Sequence, residues 1–237
     1  MKRIAPYLLI AILLTACGGT PEPMAKTLPE MYDSAYEKID SNNYEEAAGF
    51  FLEIESSFPT GPWAAEALIM AAYSQYQANN FAGALTTIDR FMRFHPGHKN
   101  VDYVLYLKGM CFYRQVSDVR REPGMSSYAL GAFNQLTQRF PNSEYAKNAA
   151  NKIIILRNYI AGKIMYSARR DLVKQNYPVA ITNLQTIIKD MRETQMTPEA
   201  LFRLTEAYKA IGLPEQAAGY AEMLRNNFPD NTWTKKL

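Results

Sequence analysis

The chain has 237 residues, 48% hydrophobic and 21% charged, with a formal net charge of +3. That length and balance describe an ordered chain able to bury one or two sizeable cores, and they exclude an intrinsically disordered protein. The small net charge gives no argument for a nucleic-acid binder, which needs a concentrated basic stripe.

Lys2-Arg3 and the apolar run over residues 4–14 have the make-up of a secretory signal. The run falls well short of the ~20 residues a spanning helix needs, and Pro6 interrupts it. It ends in Leu14-Thr15-Ala16-Cys17, which resembles the lipobox of bacterial lipoproteins. The resemblance implies that residues 1–16 are a cleaved signal peptide and that Cys17 is the lipidation site; the alternative is an ordinary secretory signal that contains a cysteine. Several acyl chains on Cys17 hold a protein to a bilayer stably, whereas a single chain does so only marginally. Gly18 at the second mature position, rather than Asp, fits sorting to the outer membrane as in enteric bacteria. Removing Lys2 and Arg3 from the 26 basic residues leaves 24 against 23 acidic ones, close to neutrality. The rest of residues 17–27, with Pro21 and Pro23 and no periodicity, reads as a flexible tether. The second cysteine, Cys111, lies among Leu107, Met110 and Phe112 and reads as a buried, unreactive thiol, so no disulfide is expected.

From here the chain repeats itself. Tyr44, Ala47, Phe51, Ile54 and Pro59 recur as Phe81, Ala84, Ile88, Phe91 and Pro96, and again as Ser126, Ala129, Phe133, Leu136 and Pro141. A fourth copy is Tyr177, Ala180, Leu184 and Ile187 with Arg192 in the proline slot, and a fifth is Pro214, Ala217, Ala221, Leu224 and Pro229. Offsets of three, seven and ten share one helix face, and proline cannot extend the ladder, so each copy predicts an amphipathic helix with a stop. A second amphipathic segment precedes each copy. It carries Met31, Tyr32, Ala35, Tyr36 and Ile39, then Leu68, Ile69, Ala72, Tyr73 and Tyr76, then Tyr103, Tyr106, Leu107, Gly109 and Tyr113. In the fifth copy it carries Phe202, Thr205 and Tyr208 before Gly212. The small residues Ala35, Ala72 and Ala168 stand twelve before the alanine of the following helix, which lets paired helices approach closely. In the third copy Gly109 precedes Ala129 by twenty, the extra length falling over residues 117–124 as an enlarged turn. Asn142-Ser143 opens a run to Lys174 without proline and with one glycine, read as one long helix or two abutting ones. Tyr208, Leu224 and Phe228 near the end predict apolar surface left open at the last repeat.

The pattern resembles the tetratricopeptide repeat over about residues 28–237. It predicts an all-α solenoid of five helix pairs with one long helix between repeats 3 and 4. In such arrays the concave side chains come from the first helix of each pair. Those slots hold Tyr32, Tyr36, Tyr73, Tyr76, Tyr106, Tyr113 and Arg114. This predicts an aromatic groove for an extended peptide, with hydroxyls and Arg114 available to backbone or carboxylate. The competing reading is that several of these tyrosines belong to the inter-helix core.

A more specific match lies in Ile88-Asp89-Arg90-Phe91-Met92-Arg93-Phe94-His95-Pro96-Gly97-His98 running on to Gly109. Phe58-Pro59-x-Gly61-Pro62, Phe140-Pro141-Asn142-Ser143-x-Tyr145 and Cys17 extend it. Together they resemble the BamD/ComL family, lipoproteins of the outer-membrane β-barrel assembly (BAM) machinery. The turn around Asp118-Val119-Arg120-Arg121-Glu122-Pro123 and the missing fourth proline depart from that family's pattern. The resemblance implies a non-enzymatic scaffold on the periplasmic face of the outer membrane. Residues 142–237 would bind the membrane-proximal POTRA domain of BamA, and residues 28–141 would receive unfolded outer-membrane proteins through their terminal β-signal. Other BAM lipoproteins would attach as well.

Nothing in the sequence points to catalysis, a cofactor or a metal site. There is no G-x-S-x-G, no phosphate-cradling glycine loop and no paired cysteine ligands, and His95 and His98 bracket a Pro-Gly turn. Arg120-Arg121 and Arg169-Arg170 are isolated basic pairs, read as solvated or partner-facing. Two rival functions stand beside the assembly scaffold. A secretin pilotin would lack the signature from Arg90 to Gly109 and the enlarged third turn, and a peptidoglycan-associated lipoprotein would need a carboxylate pair in a cleft.

Overall fold

The computed structural model describes residues 26–116 and 124–237. The lipobox, Cys17 and most of the enlarged turn lie outside these residues. Ten α-helices follow one another among the described residues. They are α1 (Leu28–Asp40), α2 (Tyr44–Ser57), α3 (Pro62–Gln77), α4 (Phe81–Phe94), α5 (Val101–Tyr113), α6 (Gly124–Arg139), α7 (Glu144–Val173), α8 (Tyr177–Asp190), α9 (Thr197–Ala210) and α10 (Pro214–Asn227), with a final 3₁₀ turn at Thr234–Lys236. Each helix packs mainly on its sequence neighbours, the arrangement of a solenoid of five helix pairs.

The repeat can be traced in backbone and core alike. In four of the five pairs the first helix ends on a residue with positive φ placed two before the second: Asn42, Asn79, Gln175 and Gly212. The following N–H closes a six-residue ring in each: Asn43 to the Lys38 carbonyl (2.8 Å), Asn80 to Gln75 (2.8 Å), Asn176 to Asp171 (2.9 Å) and Leu213 to Tyr208 (2.9 Å). This is the Schellman closure, and it turns the chain back at the same angle each time. The apolar stripes of the second helices are all buried, Ala47, Phe51 and Ile54 at 0% exposure and their counterparts at 6% or less. Second helices stop alike, Phe58, His95, Phe140 and Phe228 each donating to the carbonyl four residues back. The fourth stops in the same register without proline, since Met191 N–H bonds Ile187 (3.0 Å) and Thr194 N–H turns back to Met191 (3.0 Å).

The small position of the first helix is set by what faces it. A Cβ on Gly109 would lie 2.3 Å from Cε1 of Phe133, so only glycine lets that ring seat against α5. In the fifth repeat the bulk is exchanged: the stripe narrows to Ala221 and the equivalent first-helix residue is Thr205, fully buried, its hydroxyl donating to the Leu201 carbonyl at 3.0 Å.

The run from Asn142 is a single 30-residue helix, about 45 Å long at 1.5 Å per residue. Ser143 caps it by accepting from Tyr145 N–H (3.2 Å), and its hydroxyl donates to Asp102 at 2.6 Å, tying α7 to the start of α5. Ala146, Ala149 and Leu156 join the core of repeats 2 and 3, while Ala161, Met165 and Ala168 join that of α8 and α9. The second half of α7 is therefore the first helix of the fourth pair, and the two cores meet within one helix rather than at its start.

Two sequence expectations are corrected here. The last repeat is not left open, because Phe228, Trp233 and Leu237 pack over Leu201, Phe202 and Leu224, with the Trp233 ring 5.2 Å from that of Phe202. Arg169 is not a free surface cation: its Nε donates to Glu199 at 2.8 Å, joining α7 to α9, and Arg203 approaches the same carboxylate at 3.4 Å. Burial alone would raise the Glu199 pKa, but these guanidiniums outweigh it and hold the carboxyl below its usual range. Arg90, within the family signature, lies 2.7 Å from the buried Glu55 and links α4 to α2, although off the line of a hydrogen bond. Cys111 is buried and unpaired, its thiol pushed up to about 12 by that burial. His95 and His98 pack their rings on Phe91, and His98 Nδ1 accepts from Asn100 N–H.

Candidate peptide-binding groove

The seven groove residues read from the sequence fall into two groups. At the first repeat, Tyr32 and Tyr36 stand one turn apart on α1 and stack at 6.2 Å. Both meet the Phe51 ring in T-shaped contacts, at 6.0 and 5.5 Å. The Tyr32 hydroxyl donates to the Trp63 carbonyl (3.0 Å), and the Trp63 ring lies 6.1 Å from that of Tyr32. Leu28, Pro29, Asp33 and Glu66 complete a cavity of about 390 Å³ between α1 and α3. Burial, then Glu66, then Tyr36 push the Tyr32 hydroxyl up to about 12, and burial followed by Glu66 raises Tyr36.

The second group spans repeats 2 and 3. Tyr73 meets Tyr44 edge-on at 6.4 Å and accepts from Gln77 at 2.8 Å. The Arg114 guanidinium lies 5.5 Å from the Tyr76 ring and 6.0 Å from Phe81, and its Nη2 donates to Asn79 at 3.0 Å. Tyr106 and Tyr113 pack on Phe133 at 6.0 and 6.3 Å, and the Tyr106 hydroxyl donates to Asn148 on α7. Lys152, also on α7, lies 5.8 Å from the Tyr106 ring and 6.0 Å from Tyr113. Tyr103 sits among them 5.1 Å from Tyr145, its hydroxyl pKa raised by burial first and then by Tyr145, Tyr73, Tyr76 and Tyr106.

None of the six groove tyrosines is fully buried, and several rest on a seam phenylalanine, so these form a second layer over the core with one side to solvent. Packing on the core and opening to solvent are therefore not alternatives for these rings. Sequence reasoning missed Trp63, Glu66, Tyr103, Asn148 and Lys152. Trp63 and Glu66 share a face with Tyr73 at offsets of ten and seven, a signal that was present. Asn148 and Lys152 gave none, since α7 reaches this groove only because its first half packs beside α5 and α6.

The family model of YfiO, described as an outer membrane lipoprotein, matches residues 24–224. The chain belongs to the BamD/YfiO family. The outer membrane protein assembly factor BamD of Caulobacter vibrioides is 34% identical over 230 residues, covering 95% of this chain and 75% of that one. The BamD of Neisseria meningitidis serogroup B is 32% identical over 253 residues, covering 100% of this chain and 95% of that one. Membership makes this chain an outer-membrane lipoprotein and a non-enzymatic assembly factor. Among solved structures, the tetratricopeptide protein YrrB aligns with a TM-score of 0.36 at 16% identity, over 89% of this chain and 93% of that one, a likeness too slight to add to the family match.

Proposed function

We propose that this assembly factor works as a two-sided scaffold, with residues 28–141 receiving unfolded outer-membrane β-barrel proteins and residues 142–237 holding the POTRA domain of BamA. Other BAM lipoproteins attach to the same body. The observation that carries the client side is the layer of partly exposed tyrosines along α1, α3 and α5, flat rings with hydroxyls suited to an extended backbone. On the partner side, Tyr166, Val179 and Met223 are exposed apolar residues of the second half, of the kind that interfaces cover. One experiment addresses both sides, using full-length chains in detergent. Tyr73→Ala is expected to weaken binding of a barrel-protein C-terminal peptide several-fold while BamA still co-purifies. Met223→Glu is expected to do the reverse. Loss of BamA through the Tyr73 variant alone would exchange the two assignments, and unchanged peptide binding would move the client surface elsewhere.

Membrane attachment is assigned to Cys17. A Cys17→Ala protein is expected to leave the outer-membrane fraction or to keep its signal segment. Its recovery in that fraction with the wild-type mature terminus would rule the anchor out.

A further inference from the structure

The two aromatic groups of the groove differ in the charge placed against them. In repeats 2 and 3 the chain supplies its own cations, Arg114 at Tyr76 and Phe81 and Lys152 at Tyr106 and Tyr113. At the first repeat the rings of Tyr32, Tyr36 and Trp63 have no lysine or arginine over them among the described residues, and two carboxylates, Asp33 and Glu66, line the same cavity. Neither carboxylate has an ion-pair or hydrogen-bond partner among the described residues. Trp63 is 53% exposed and Tyr36 41%, so the cavity opens to solvent.

We propose that the cavity between α1 and α3 is a cation cage that takes one arginine or lysine side chain of the extended polypeptide lying in the groove. Three aromatic side chains line the cavity for the stem and head of such a side chain, and a carboxylate pair without protein partners among the described residues lines it with them to supply the counter-charge. The Tyr32 hydroxyl spends its proton on the Trp63 carbonyl, which fixes the two cage walls relative to each other. The field of Glu66 reaches both tyrosine hydroxyls, as the raised Tyr32 and Tyr36 values reflect after the effect of burial. A terminal carboxylate is repelled here and is accommodated at the other end, beside Arg114 and Lys152. The inference rests on the client groove of repeats 1–3, and it gives that groove a polarity: acidic at α1, basic at α5 and α7.

The test uses full-length protein in detergent and ten-residue peptides of alternating apolar and polar residues ending in phenylalanine. A single arginine occupies each of the first four positions in turn, and each peptide has a partner with citrulline, which keeps the shape and loses the charge. At low salt, one arginine peptide is expected to bind about 5- to 20-fold tighter than its citrulline partner. Asp33→Asn with Glu66→Gln, two isosteric changes at open positions, is expected to bring both peptides to the citrulline level. Tyr73→Ala should weaken both peptides alike and keep the ratio. Equal affinity of every arginine and citrulline pair, with Tyr73→Ala still weakening all of them, overturns the cage while the groove stands. Failure of all peptides to bind overturns both.

Discussion

Phe51→Ala is expected to lower folding stability by about 3–5 kcal/mol, the usual loss for a large aromatic side chain from a closed core. Phe51 is fully buried in the cluster formed by Met31, Ala35, Ala47, Ile54, Ala67 and Ala71. Its edge contacts to Tyr32 and Tyr36 go with it. Because each pair of a solenoid is stabilised chiefly by its neighbours, the loss is concentrated at the first repeat, and α1 and α2 should open before the rest. Hydrogen exchange resolved by peptide shows this directly: amides of α1 and α2 lose protection while those of α8 to α10 keep theirs. Tyr73→Ala is the comparison. It gives up a partly exposed ring, the Tyr44 contact and one hydrogen bond, and should cost about 1–2 kcal/mol. Equal destabilisation by the two would show that the tyrosine layer is core.

Gly109→Ala carries the second large effect and reverses the usual sign. In an open helix interior the change stabilises by about 1 kcal/mol. Here the new methyl would stand 2.3 and 2.5 Å from two carbons of the Phe133 ring. That ring is fully buried and held by Tyr106 and Tyr113, so it has nowhere to move. The net result is expected to be a destabilisation of about 1–3 kcal/mol, read from denaturant midpoints. Gly131→Ala, in a helix interior with no atom within 4 Å of the added Cβ, is the control and should be neutral or stabilising. Adding Phe133→Leu to Gly109→Ala should recover part of the loss. A Gly109→Ala protein as stable as the Gly131→Ala one would mean that α5 and α6 have room between them for the extra methyl.

The repeat register is fully legible in the amino-acid sequence. Five stripes at offsets of three, seven and ten are five buried faces, and four of their stops fall where the prolines stand. The fourth stop shows why proline is a signal rather than a cause: the Thr194 turn ends α8 as well. The tyrosine slots are legible too, but the sequence sets groove against core as rival readings. A ring on the first helix covers the seam with one side while showing the other to solvent, so the two readings do not exclude each other.

What the sequence determined by itself was whatever depends on a few consecutive residues. Helix periodicity, the left-handed turn two residues before the second helix in four of the five pairs, and the small residue facing the first four stripes all follow from local backbone geometry and side-chain volume. What only the tertiary structure decided depends on which helices become neighbours. Arg169 finds Glu199 thirty residues away, Lys152 reaches the rings of α5, and Trp233 closes the last repeat over Phe202. Asp33 and Trp63 come to share one cavity because α1 and α3 stand side by side as first helices of adjacent pairs. No periodicity encodes those meetings, because they are set by the angle at which one helix pair stacks on the next, and that angle is a property of the packed faces together.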